Sequence, residues 1–170
     1  MSTAGAGRAA WWVLVIALAA ATIAAAAVGA WEFTVKNRQL AAPDQSADRQ
    51  VVLQAATFDV ATILSYKADT VEKDVNAAAA VMTGDFLNYY RNFTRQAVIP
   101  AAHDKGVNTT ATVVRAGVES LSGHKASLLV FINQTTTSRD KPAPQLNSSS
   151  ARVGMAKVNG TWLIDTFDPV

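Results

Sequence analysis

The sequence contains no cysteine, and this absence removes several classes of chemistry together. Disulfide bonds, thiolate zinc sites, iron–sulfur clusters and cysteine nucleophiles are all excluded. A folded domain in this chain must therefore be stabilised by its hydrophobic core. The stretch from Asp44 to Val170 has the size of one ordinary domain and is long enough to bury such a core.

An excess of one charge sign is also missing from most of the chain. The formal net charge is +2, from 15 basic and 13 acidic side chains. From Asp44 onward the two signs are equal in number, and the excess comes from Arg8, Lys36 and Arg38. Because a nucleic-acid-binding domain carries a basic stripe of its own, we expect no nucleic-acid partner.

Charged side chains are absent from one long run, residues 9–31. A helix of that length, at about 1.5 Å per residue, spans roughly 35 Å and crosses a hydrocarbon core of ~30 Å. Trp11 and Trp12 lie at one end of the run, and Trp31 and Phe33 at the other. Aromatic residues at both ends are typical of the two membrane interfaces.

We therefore predict a single-pass protein of the cell membrane, in contact with the lipid bilayer. The transmembrane helix spans residues 9–35, after a short cytoplasmic tail at 1–8. A tether at 36–46 leads to an extracytoplasmic domain at 47–170. The alternative is a cleaved signal peptide, since small residues over 24–30 offer a cleavage site.

Three helices are predicted after the tether, from apolar residues at three- and four-residue spacing. The first runs from Asp44 to about Ser65, with Phe58 in its apolar pattern. A capping box at Asp69 and Glu72 begins the second helix, which reaches about Met82. The third begins after a cap at Thr83, carries an aromatic stripe, and ends or kinks near Pro100.

From Thr110 the apolar spacing changes to alternation, which predicts strands. They are expected at Thr110–Glu119, Lys125–Gln134, Ala151–Val158 and Thr161–Asp168. Asn159-Gly160 between the last two predicts a tight hairpin, and Thr135–Ser150 is either a long hairpin tip or a mobile loop. The result is an α+β domain with three helices packed on a curved four-stranded antiparallel sheet, an order that resembles the NTF2-like (cystatin-like) fold.

Four segments after the apolar run also resemble a known family in their order and spacing. They are Ile63–Tyr66, Thr83–Phe86, Val130–Thr135 and the ending from Trp162–Ile164 through Pro169–Val170. In these segments the chain resembles the Mce-associated membrane proteins of mycobacteria and related actinobacteria.

This resemblance implies a non-enzymatic accessory protein of the cell envelope. Such a protein stabilises or assembles an Mce-type lipid import complex through contacts with the Mce transporter proteins. One alternative is a scaffold subunit of a secretion or conjugation machine. Another is a module that binds a lipid or sterol ligand in the NTF2-like cavity.

Six aromatic side chains are candidates for the lining of such a pocket. They are Phe58, Phe86, Tyr89, Tyr90, Phe93 and Trp162. Their helical spacing fits packing of an ordinary core on the sheet equally well.

The sequence predicts no catalytic, cofactor-binding or metal-binding residue. His103 and His124 lack partners at metal-ligand spacing, so we expect both to face solvent. Asp59 lies within an apolar helix pattern, and the simpler interpretation is that it faces solvent. The alternative is a buried general base with a pKa raised towards neutrality. Tyr66, Tyr89 and Tyr90 could then donate a hydrogen bond to an oxyanion, although their spacing fits core packing equally well.

Overall fold

In the computed structural model, the described residues 43–170 form helices followed by a single sheet. The helices are α1 (Pro43–Ile63), α2 (Val71–Ala79), α3 (Gly84–Phe93) and α4 (Ile99–Lys105). A π-helical turn, Thr94–Val98, joins α3 to α4 without a break, so residues 43–170 form three helical segments before the sheet, as predicted. The strands are β1 (Asn108–Ser122), β2 (Lys125–Thr137), β3 (Gln145–Val158) and β4 (Thr161–Pro169).

The predicted transmembrane helix at 9–35 and the cytoplasmic tail lie outside the described residues, as does most of the tether. Within 43–170, no helix combines the length and the apolar character needed to cross a membrane.

The four strands pair in sequence order, each antiparallel to the next, as the meander pattern predicts. The hairpin at Asn159-Gly160 is confirmed. Both residues have positive φ, 50° and 84°, which suits the two-residue turn that matches strand twist. The middle strands run further into the polar Thr135–Ser150 stretch than their apolar pattern predicts. Consecutive Thr residues and consecutive Ser residues occupy these strand ends, so no alternation of apolar and polar residues marks them in the sequence.

The hydrophobic core lies between α1 and one face of the sheet. On α1 it uses Val52, Ala56, Val60 and Ile63, all buried. The sheet contributes fully or nearly fully buried side chains to the same cluster, namely Leu128, Val130, Ile132, Val153, Met155, Trp162 and Ile164. These side chains fill the space beneath α1.

The opposite face of the sheet is mixed, because Phe131 is 46% exposed there among polar and charged side chains. Arg152 and Ser127 both donate hydrogen bonds to the carboxylate of Glu119, over 2.9 and 3.0 Å. The hydrogen bond from Arg152 holds the pKa of Glu119 below its usual value.

The predicted helix starts are displaced or lack the predicted cap. The N-cap of α2 is Thr70 instead of Asp69; its hydroxyl donates to Asp74, which also accepts the N–H of Lys67. Thr83 does lie at the N-cap of α3, but its side chain makes no capping hydrogen bond. Its backbone N–H instead donates to the carbonyl of Ile164 over 2.8 Å, which ties α3 to β4.

Candidate functional site

Four aromatic rings stack in a row on the outside of α3 and β4, and we call this row the aromatic ladder. Phe86, Tyr89 and Phe93 lie three and four residues apart, hence on one side of α3. Tyr89 lies 6.5 Å from Phe86 and 6.0 Å from Phe93, measured between ring centroids. Phe167 of β4 completes the ladder, 6.3 Å from Phe86.

The ladder is anchored at one end and exposed at the other. Phe86 and Phe167 are partly buried against the hydrophobic core. Tyr89 and Phe93 are 62% and 47% exposed. An exposed apolar patch of this kind on a folded domain is typical of an interaction surface. Of the predicted pocket residues, Phe86, Tyr89 and Phe93 therefore lie together, but on a surface.

The other two predicted pocket residues of α3 and β4 point inward. Tyr90 is partly buried, and its hydroxyl donates to the carbonyl of Ile63 over 3.3 Å. Burial raises its pKa to about 12, so this hydroxyl keeps its proton. Trp162 is 3% exposed, and its buried indole N–H has no hydrogen-bond partner among the described residues. Both residues belong to the packed interior.

Phe58, the sixth predicted pocket residue, is 68% exposed on α1. It forms the rim of an open cavity of about 500 Å³ between α1 and β1, which we call the α1–β1 groove. The lining is apolar or uncharged: Leu53, Gln54, Thr57, Phe58, Ala61, Ala111, Thr112 and Val113. Hydropathy alone did not reveal this groove, because its two walls are far apart in sequence.

Asp59 is buried, at 5% exposure, and the expectation that it faces solvent is wrong. It lies seven residues after Val52 and four before Ile63, so the helical repeat places it on the core face. No hydrogen bond to its side chain is present among the described residues. Desolvation by burial raises its pKa to about 7. The apolar pattern missed this because it assigned Phe58 to the core face instead.

The two histidines lie apart on the surface. His103 Nε2 is 2.7 Å from Glu72 Oε1, and this hydrogen bond lowers the pKa of Glu72. His124 is exposed in the β1–β2 turn, where its carbonyl accepts the N–H of Lys157. Tyr66 pairs with Thr109 through two backbone hydrogen bonds of 2.9 Å. Within 43–170, no cluster of three or more potential metal-ligating side chains is present.

No protein-family model matches the chain. Two relatives come from Mycobacterium tuberculosis. The uncharacterized protein Rv1362c is 46% identical over 131 residues, which span 75% of this chain and 60% of the relative. The outer membrane protein Rv1973 is 40% identical over 127 residues, which span 75% of this chain and 79% of the relative.

Solved structures give the same architecture at low sequence identity. An IcmL-like type IV secretion system protein from Legionella pneumophila has a TM-score of 0.61 at 8% identity, over 72% of this chain and 91% of that one. VirB8 from Agrobacterium tumefaciens has a TM-score of 0.55 at 13% identity, over 72% and 92%. An NTF2-like superfamily protein from Salmonella enterica has a TM-score of 0.50 at 13% identity, over 71% and 91%. The described domain therefore has an NTF2-like fold.

Proposed function

This chain belongs to the mycobacterial family that includes the outer membrane protein Rv1973, and we propose that it is an envelope protein that assembles a transport complex through protein–protein contacts. The relative's name supports a location in the envelope. The predicted transmembrane helix would hold the domain at a membrane and raise its effective concentration near membrane partners.

The aromatic ladder is the observation that carries this proposal. Tyr89 and Phe93 expose large rings that are already stacked, so little conformational entropy remains to be lost on binding. Aromatic residues dominate the binding energy of many protein interfaces. The domain is neutral overall, so recognition would depend on apolar surface more than on charge.

We propose a complex of the Mce type for lipid import as the partner, on the strength of the sequence resemblance. The second candidate is a scaffold role in a secretion machine. The similarity to IcmL-like and VirB8 domains favours it, although at 8% and 13% identity that similarity concerns the fold alone.

Affinity purification distinguishes these candidates. The full chain with a C-terminal tag is purified from detergent extracts of native membranes, and co-purifying proteins are identified by mass spectrometry. Mce transporter proteins support the first candidate, and secretion subunits support the second. Recovery of neither would contradict the proposed assembly role.

The buried carboxyl of Asp59 favours a third possibility, an enzyme that uses it as a general base. The accessory role predicts that Asp59→Asn supports the same transport phenotype in cells as the unmodified chain. A general base predicts loss of that phenotype although the variant folds and reaches the membrane. We propose the non-enzymatic role, because binding of partner proteins at the exposed aromatic surface is enough for assembly and needs no chemical reaction.

A further inference from the structure

Helix α1 presents apolar side chains on two sides. One side packs on the sheet, as described above. On the other side, Val51 and Phe58 are 53% and 68% exposed. They lie seven residues apart, close to two helical turns, and so share one face. A helix with apolar residues on both sides is normally covered on both.

The α1–β1 groove runs beside this exposed face. No charged side chain lines it, and its volume is about 500 Å³. Val114 is the next residue of β1 after the groove lining. It lies at a register shift in the pairing of β1 with β2 and is 49% exposed. Phe58 on the rim thus protrudes next to an apolar depression on the same surface.

Within residues 43–170, the neighbouring edge of β1 has few hydrogen-bond partners. Ser65 Oγ accepts the N–H of Ala111 over 2.9 Å, and Arg49 donates to the carbonyl of Val118 over 2.7 Å. Between these two contacts, no described residue outside the sheet hydrogen-bonds to the β1 backbone. An uncovered edge strand is a surface that another chain can approach.

We propose that this surface is covered by a second copy of the same chain, related by a two-fold axis. In a two-fold interface the same patch serves on both sides, so a protrusion and a depression must both be present on it. Phe58 of one copy enters the α1–β1 groove of its partner, and the reverse contact forms at the same time.

The charges of the domain fit a second copy. From Asp44 onward, acidic and basic side chains are equal in number, so two domains approach without net repulsion. The uncharged lining of the groove also brings no like charges together across the axis. A partner selected by its charge would find no complementary group in this lining.

The size of the surface sets the expected strength of the dimer. With Val51 and Val114, the groove supplies about ten residues per copy. A standard stable interface has roughly 20–30 residues on each side. The dimer is therefore weak in dilute detergent. In a membrane a larger fraction of the chains is dimeric, because anchoring raises their effective concentration; this membrane effect rests on the anchoring proposed above.

Single-cysteine cross-linking tests the dimer, because the natural chain has no other thiol. Gln54→Cys places a thiol on the groove, one turn before Phe58. The matched control is Gln96→Cys, an exposed position on the π-helical turn. The full-length chain in native membranes is treated with a short bis-maleimide. Gln54→Cys is expected to give dimers about tenfold more efficiently than the control.

A second substitution tests the role of Phe58. Adding Phe58→Ser to Gln54→Cys is expected to lower dimer yield by about tenfold, as for a residue central to an interface. Adding Leu146→Ser, which changes a side chain that is 69% exposed on β3 and belongs to neither surface, leaves the yield unchanged. Equal cross-linking at positions 54 and 96, an unchanged yield with Phe58→Ser, or a product with a different protein overturns the inference. Co-purification of transport proteins is measured independently of these dimer yields, so the two proposals fail separately.

Discussion

The carboxyl group of Asp59 is placed unfavourably for stability. It is 5% exposed on the core face of α1, near Val60 and Ile63, and receives no hydrogen bond from the described residues. Burial of an unpaired carboxylate disfavours its charged form, which accounts for a pKa of about 7. The protonated form is thus favoured in the folded chain up to neutral pH.

This pKa predicts a pH dependence of stability. The folded pKa of about 7 lies above the ordinary value of 3.8, so the folded chain binds the proton more tightly. Preferential protonation of Asp59 in the folded chain therefore contributes fully to the free energy of unfolding below pH ~4. This contribution falls as pH rises and is lost above pH ~7. Asp59→Asn is expected to exceed the unmodified chain by on the order of 2 kcal/mol at pH 8, after allowance for screening by water, and not at pH 4. Urea unfolding at both values measures this.

The control is Asp85→Asn, at an exposed position in the first turn of α3. It should follow the unmodified chain at both pH values. If Asp59→Asn also followed the unmodified chain, the carboxyl would be hydrated or paired, and our account of its burial would fail.

At this scale, the sequence shows which residues are unusual but not which way they face. Phe58 and Asp59 are adjacent, and a rotation of α1 by one residue exchanges their environments. Because α1 has apolar residues on two sides, its sequence does not fix that rotation. Packing of Val52, Ala56 and Ile63 on the sheet does.

Gly154 shows how one position holds two elements together. A Cβ atom added there would overlap the side chains of Asp165 and Thr166 on β4, next to a register shift between β3 and β4. The positions of these two side chains over β3 therefore depend on the missing side chain of Gly154.

We expect Gly154→Ala to lower the free energy of unfolding by about 1–3 kcal/mol, because the side chains of Asp165 and Thr166 have to shift to admit the methyl group. Gly117→Ala is the matched control, since a Cβ atom on that β1 residue meets nothing within 4 Å. Thermal or urea unfolding compares the two variants. Equal stabilities would mean that the side chains of Asp165 and Thr166 move aside without cost, which would contradict the packing described.

The elements themselves were largely predictable. Apolar spacing identified three helical segments, and alternation with Asn159-Gly160 identified the strands and one hairpin. The ends of β2 and β3 were not predictable, because backbone pairing extends them through polar residues. The start of α2 was missed because Thr70, rather than Asp69, occupies the N-cap.

Across the whole domain, two exposed apolar surfaces lie on different elements. The aromatic ladder belongs to α3 and β4, and the α1–β1 groove lies beside α1. The sequence predicted the aromatic residues of the ladder except Phe167, but assigned them to a pocket. Whether an aromatic side chain lines a pocket or lies on the surface depends on tertiary contacts between elements that are distant in sequence. Local residue spacing contains no information about those contacts.

The two surfaces predict separable effects. Tyr89→Asp with Phe93→Asp should reduce co-purification of partner proteins at least about tenfold, since charge is placed in an apolar contact. Leu146→Asp is the control, because Leu146 is 69% exposed on β3 outside both surfaces. Quantitative mass spectrometry of tagged protein from detergent extracts gives the ratio. Equal losses for both variants would point to a general effect of charge instead of a contact at the ladder.

Photo-cross-linking from the ladder in intact cells is the most direct measurement of the central claim. A photoreactive phenylalanine analogue replaces Tyr89 in one chain and Leu146 in another, with no detergent present. We predict covalent products with a different envelope protein from position 89 and none from position 146. Products with lipid alone at position 89, or no product there, would contradict a role in assembly through protein contacts.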